Sequence, residues 1–181
     1  MEMIDVLDES GKVTGVIKTK QQIYDDGDWH RTVHIWIVNN NKEILVQKRN
    51  PNKKTYPNLW ALSAAGHVDA GETSLTAGMR ELKEELGLEI CENEMKFLFS
   101  IKEERPYKDR FIKTIDDVYL IEKEIDVNNT KLQFEELTDI KYVYYEYLNS
   151  IFKNNDGDYV PYNEEHEKLF DFLDDKFCEV I

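Results

Sequence analysis

Apolar and polar residues alternate in short blocks along most of this chain, and two stretches shift to a longer period. "MIDVLDESGKVTGVIKTK" reads as two short strands around a turn at Ser10 and Gly11. "HRTVHIWIVNNNKEILVQKR" reads as a second hairpin, a β-branched and aromatic run followed by a polar turn and "ILVQKR". "NPNKKTYPNLW" is rich in proline and asparagine and reads as a loop, and "LWALSAAG" as a buried strand leading into Gly66. From about Thr73 to Leu86 the period becomes helical. Leu75, Met79, Leu82 and Leu86 fall at i, i+4, i+7 and i+11, one apolar stripe able to pack on a sheet, and Gly87 follows as a left-handed stop. "MKFLFSIKEE", "FIKTIDDVYLIEKEI" and "DIKYVYY" are strand-like, a short helix follows near "YEYLNSIFK", and "NNDGD" is a turn. Leu169, Phe170, Leu173 and Phe177 mark an amphipathic C-terminal helix. Strands interrupted by one central and one terminal helix imply an α/β sandwich around a mixed sheet. A single domain is expected over residues 1–181, with N-terminal strands in 1–28 and the core and C-terminal helix in 29–181.

Composition changes this picture in one direction. The net charge of -14 would repel nucleic-acid backbones and anionic lipid surfaces, so neither is expected as a partner. An anionic substrate then needs a local basic patch or bridging cations. The two cysteines, Cys91 and Cys178, are too far apart for a zinc pattern or a disulfide framework and are expected as buried fillers in a reducing compartment. "MEMIDVLDES" lacks the basic and apolar regions of a signal peptide, and no apolar run reaches the ~18 residues of a membrane span. A cytoplasmic setting is the expectation.

Against that acidic background, "GHVDAGETSLTAGMRELKEELGL" places Glu81, Glu84 and Glu85 at i, i+3 and i+4 on one helix, where like charges repel by a few tenths of a kcal/mol. The plainer reading is a solvated acidic face. The alternative is a set of hard oxygen ligands converging for Mg²⁺ or Mn²⁺, whose binding would remove the repulsion. A helix holds such spacing more firmly than a loop.

The wider pattern resembles the Nudix box: Gly66, Glu72, and then "RELKEELGL" at the box's spacing. Every constrained position matches, namely Gly66, Glu72, Arg80, Glu81, Leu82, Glu84, Glu85, Gly87 and Leu88. Background composition would give such a match at a fixed start with probability on the order of 10⁻⁹. The resemblance implies a Nudix-type α/β/α sandwich and a pyrophosphohydrolase that cleaves a nucleoside di- or triphosphate, or a nucleoside diphosphate linked to another moiety. It implies Mg²⁺, or Mn²⁺, held by Glu81, Glu84 and Glu85 with the carbonyl of Gly66. Glu84 and Glu85 thereby enter catalysis, and Glu72 and Arg80 support the site through a salt bridge.

A narrower resemblance, carried by "HRTVHIWIV", "ILVQKRNPNKKTYPNLW" and "AGHVDAGE", is to the isopentenyl diphosphate isomerase-like branch. Those isomerases place a catalytic cysteine directly before the glycine that aligns with Gly66. Here that residue is Ala65, and the glutamate run that the isomerases degrade is complete, so hydrolysis is favoured. Two alternatives stay open, an isomerase-like enzyme and a nucleotide-binding module without catalysis. His30 and His67 match metal-binding positions of the isomerases, but packing or hydrogen bonding is the preferred reading for both, and for His34 and His166. Arg49, Lys53 and Lys54 form a basic cluster near the box. It is either a solvated loop or a phosphate contact, with Arg49 as bidentate donor and Lys54 as a point charge. Tyr56 and Trp60 read as loop or core anchors. The general base has several candidates, Glu103, Glu104, Asp116, Asp117, Glu135 and Glu136, of which Glu136 is favoured. The substrate is a small phosphoanhydride of unspecified identity, and the N-terminal strands could pair two copies.

Overall fold

A computed structural model describes residues 2–107, 109–161 and 163–178. The expected class, α/β with a central mixed sheet, is the one observed, with nine strands and four α-helices among the described residues. The chain packs as two compact units: residues before Ile37 with Ala64–Ile121, and Ile37–Ser63 with residues after Ile121. Among the described residues no helix is long and apolar enough to cross a membrane.

In the first unit, β1 (Met3–Leu7) and β2 (Val13–Thr19) form the expected antiparallel hairpin. Next comes a helix that hydrophobic periodicity did not reveal, α1 (Lys20–Asp26). Its start is a capping box, in which Thr19 accepts from the Gln22 amide while the Gln22 side chain accepts from the Thr19 amide. Its end is Gly27 at φ 72°, and Ile23 alone is buried, against Ile4 and Val6. One buried residue per two turns leaves no periodic signal; the capping box and the glycine were the readable cues.

β3 (Trp29–Val38) then pairs antiparallel with β6 (Ala64–His67), setting Thr32 beside His67 and Val33 beside Gly66. β7 (Met95–Tyr107) and β8 (Arg110–Glu122) form a long antiparallel hairpin, and β8 also pairs with β3. Gly27 lies against the Phe111 carbonyl and Thr32 bonds Asp116, both pairs 84 residues apart. A constant separation is the mark of parallel strands, because antiparallel pairs keep a constant sum. The sheet is therefore mixed.

In the second unit, β4 (Glu43–Arg49) pairs antiparallel with the end of β3, with β5 (Trp60–Ala61) and with β9 (Leu137–Tyr144). α3 (Tyr145–Lys153) and α4 (Glu164–Cys178) close the chain. Ile44, Leu45, Leu148, Phe152, Leu169, Phe170 and Leu173 are all buried in this unit. The stretch expected as one strand before Gly66 is two, β5 and β6, separated at Ser63, whose hydroxyl accepts from the Ile37 amide and donates to the Leu45 carbonyl. A side chain that satisfies two backbone groups takes the place of a strand ladder there. The cysteines depart from expectation: Cys91 and Cys178 are both free and exposed, so neither fills a core.

Candidate functional site

The acidic helix, α2 (Ser74–Leu86), starts and stops where its sequence says it should. Thr73 is the N-cap and exchanges hydrogen bonds with Thr76, and Gly87 at φ 67° closes the helix by donating to the Leu82 and Lys83 carbonyls. Its buried face differs from the expected stripe. Ala77, Gly78, Leu82, Glu85 and Leu86 are buried, while Leu75 and Met79 are only partly so. The reason lies at Gly78, where an added Cβ would lie 2.7 Å from Met95 and 3.3 Å from both Val33 and Ile35. The helix approaches the sheet closest through its smallest residue, and that rotates the stripe.

The three glutamates are unevenly covered: Glu84 is exposed, Glu81 is largely covered, and Glu85 retains only 5% exposure. Glu81 rests on Gly66, so closely that a Cβ built there would fall 2.0 Å from its carboxylate carbon and oxygen. Gly66 is thus required by the space that Glu81 occupies. Burial pushes the Glu81 pKa up to about 7, against the lowering effect of the adjacent Arg80.

Arg80 is the hub. Its Nη1 donates to Glu81 at 2.7 Å and to Glu84 at 3.4 Å. Its Nη2 donates to Glu72 at 3.0 Å and to the His67 carbonyl at 2.9 Å, and its Nε to Glu72 at 3.3 Å. Burial opposes the Arg80 charge, yet the carboxylates of Glu72 and Glu81 outweigh it and raise its pKa. Glu72 also accepts from the Asp69 amide, which ties the loop before α2 to the same fork. Among the described residues no three His, Cys, Asp or Glu side chains stand at metal-ligand spacing. The donor set nevertheless suits a hard divalent cation: anionic oxygens on a rigid helix, one of them seated on a glycine that leaves the backbone open.

Beside Gly66, the Tyr24 hydroxyl and His67 Nε2 are 2.8 Å apart, and the His67 ring stacks on His30 at 5.4 Å and 13°. His30 is fully buried, which pushes its pKa down to about 4 and keeps it neutral. Tyr24 was missed with α1, its helix. Of the acids considered as base in this unit, Asp116 accepts from Thr32, Asp117 accepts from Arg31 at 2.7 Å and Ser100 at 2.6 Å, and Glu103 pairs with Arg105 at 3.2 Å. Glu104 is exposed.

In the second unit, Glu136 forms an ion pair with Lys53, and its backbone carbonyl accepts from the Asn50 amide at 2.9 Å. Arg49 turns inward on its own loop, where Nε and Nη2 donate to the Thr55 carbonyl at 3.2 and 3.1 Å. Lys54 is exposed. The basic cluster therefore splits into a brace, an ion-pair partner and a surface charge.

Comparison with known proteins identifies the family and the fold. The NUDIX domain pattern matches residues 28–164. The chain is 40% identical over 186 residues to Nudix hydrolase 3 of Arabidopsis thaliana, a match covering 99% of this chain but 24% of that protein. It is 35% identical over 162 residues to an uncharacterised Nudix hydrolase of Listeria innocua, covering 90% of each. An isopentenyl-diphosphate Delta-isomerase of Pectobacterium atrosepticum is 36% identical over 83 residues, 46% of each chain. The crystal structure of DR0079 from Deinococcus radiodurans superposes with a TM-score of 0.67 at 22% identity, covering 92% of this chain and 96% of that one, a likeness of fold.

Proposed function

The chain belongs to the NUDIX family, and on that premise we propose that it is a divalent-cation-dependent hydrolase of a phosphoric anhydride bond in a small nucleotide-like substrate. The observation that carries this reading is the seating of Glu81 on Gly66 under the grip of Arg80, inside a complete glutamate set. Glu81, Glu84 and Glu85 would hold Mg²⁺ or Mn²⁺, with the Gly66 carbonyl as a further donor. When bound, the cation neutralises pyrophosphate charge and lowers the pKa of the attacking water. The protein's own part is to fix those oxygens. α2 sets their spacing, Gly66 leaves room for Glu81, and Arg80 with Glu72 holds the strand–helix junction.

Glu136 is proposed as the acceptor of the water's proton, with Lys53 orienting its carboxylate. Arg49 and Lys54 are proposed to contact phosphate; Arg49 would have to release Thr55 to do so. Ala65 in front of Gly66 supplies no thiol, which supports hydrolysis over isomerisation. The chain would act as one domain in a reducing, cytoplasmic setting, without nucleic-acid or membrane partners, and its N-terminal strands could pair two copies. The test is incubation with nucleoside di- and triphosphates, nucleotide sugars, dinucleoside polyphosphates and isopentenyl diphosphate in Mg²⁺, with and without excess EDTA. Phosphate-bond cleavage that EDTA abolishes is expected. Full turnover in EDTA, or allylic diphosphate as the product, would overturn the proposal.

A further inference from the structure

Glu136 is gripped from both ends by the loop that begins at Asn50. Asn50 donates from its backbone amide to the Glu136 carbonyl at 2.9 Å and from Nδ2 to the Phe134 carbonyl at 2.5 Å. The same residue closes its own turn: Oδ1 accepts from the Asn52 amide at 2.8 Å, and its carbonyl accepts from the Lys53 amide at 3.0 Å. Lys53, placed by that turn, reaches across to the Glu136 carboxylate. Asn50, Lys53 and Glu136 thus form a closed ring of contacts. We infer that Asn50 is a positioning residue for Glu136: its side chain ties the turn that carries Glu136 to the loop that carries Lys53 and Lys54, so that the proton acceptor and the proposed phosphate contacts keep one geometry. This rests on the reading of Glu136 as the acceptor of the water's proton.

Three observations support this role. First, the pairing of β4 with β9 ends at Arg49 and Leu137, and the chain on either side of it is loop and turn. The Asn50 amide adds one more rung, to Glu136, and its side chain extends the tie to Phe134, inside a turn closed by Glu136 and Leu137 amides on the Gln133 carbonyl. Second, the residue type fits both contacts. The Phe134 carbonyl only accepts and the Asn52 amide only donates, so the side chain between them must offer a donor and an acceptor at once. Asparagine does; aspartate keeps the acceptor alone, and alanine keeps neither. Third, the Glu136 and Lys53 side chains remain 35% and 26% exposed. The carboxylate is therefore within reach of a substrate water, and a partly solvated ion pair fixes its position weakly. The backbone tie at Asn50 supplies what the ion pair lacks. Its worth lies in geometry, because a group misplaced by about 1 Å can lose on the order of 10²-fold in rate.

A double-mutant cycle read in kcat and KM separates positioning from general support of the loop. The full chain is assayed in Mg²⁺ with the nucleoside triphosphates, nucleotide sugars and dinucleoside polyphosphates named above. Glu136→Gln should lower kcat by about 10²-fold. Asn50→Ala should lower kcat by about tenfold and leave KM within about twofold. The double variant should be no slower than Glu136→Gln alone, because the group that Asn50 positions is already gone. A further tenfold loss in the Glu136→Gln background would make Asn50 a support of the loop at large and overturn the inference. An unchanged kcat for Asn50→Ala, with or without a change in KM, would overturn it too. Either result leaves Glu136 as the acceptor so long as Glu136→Gln alone is slow. Normal turnover by Glu136→Gln would remove that reading and this inference with it. Should Asn50→Ala fail to fold, Asn50→Asp keeps the bond to Asn52, drops the one to Phe134, and enters the same cycle with the same expected losses.

Discussion

α2 and α4 are both acidic helices, and each carries three carboxylates at i, i+3 and i+4 in its C-terminal half, Glu81, Glu84 and Glu85 in α2 and Asp171, Asp174 and Asp175 in α4. In α4 the acids Glu164, Glu165 and Glu167 fill the first turn, where free amides and the positive end of the helix dipole favour them. Glu164 pairs with Lys168 one turn later at 2.7 Å, and Lys176 in the last turn pairs with Glu122 at 2.8 Å. Helix electrostatics accounts for those first-turn acids and their pairs, and Asp171, Asp174 and Asp175 are all exposed to solvent. α2 has no acid in its first turn; Glu81, Glu84 and Glu85 crowd its C-terminal half, where the dipole disfavours them and they repel one another. One of them is buried, and a second is kept in place by Arg80. α4 leaves its C-terminal acids in solvent, whereas α2 covers Glu81 and buries Glu85. That difference is the physical case for a cation site.

The contrast can be broken at Gly66. Gly66→Ala would put a methyl group into the Glu81 carboxylate. Displacing that proposed ligand should lower kcat by about 10²-fold, equal to ~3 kcal/mol of transition-state stabilisation. Unfolding free energy should fall by about 1–3 kcal/mol from the forced repacking. Near-normal turnover of this variant would detach Glu81 from the chemistry.

A change of pH sharpens the contrast. Burial holds the Glu81 pKa at about 7 in the folded chain, raised from 4.5. The fold thus favours the protonated form, so the stability Glu81 contributes is fully present below pH 4.5, is lost as pH rises from there to about 7, and is level above it. Stabilisation by added Mg²⁺ should run the other way and grow as pH passes about 7, when the carboxylate becomes anionic. Thermal melts from pH 5 to 8 with and without Mg²⁺ read both trends. A metal increment that stays flat from pH 6 to 8 would mean that Glu81 is not a ligand whose charge matters.

The smallest effect belongs to α4. Glu167→Gln should cost a few tenths of a kcal/mol of stability, the value of one exposed charge at a helix N-terminus. Activity should not change. A large loss of activity in that variant would erase the distinction between the two helices.

Elements with a local cause were legible in the sequence. α2 could be bounded from Thr73 and Gly87, and β3, β4 and α4 followed from their apolar spacing. α1 was hidden because one buried residue, Ile23, cannot make a period. The box named Gly66, Glu81 and Arg80 together, but the uneven burial of Glu81, Glu84 and Glu85 depends on Gly78 meeting Met95, Val33 and Ile35. A helical wheel shows directions and says nothing about which neighbour comes closest. The pairing of Lys53 with Glu136 spans 83 residues of chain and has no local signature at all. The exposure of Cys91 and Cys178 likewise follows from where their elements end.

The account turns on α2's carboxylates being cation ligands, and Glu85→Gln addresses that most directly, because it keeps the side chain's shape and removes one charge. Turnover and thermal melts with and without Mg²⁺ are measured on the same preparation. The account predicts a loss in kcat of about 10²-fold or more, metal-free stability that is level or higher because repulsion is relieved, and a smaller Mg²⁺-induced rise in melting temperature. Normal turnover with an undiminished Mg²⁺-induced rise would contradict it and return the glutamates of α2 to the status of those in α4.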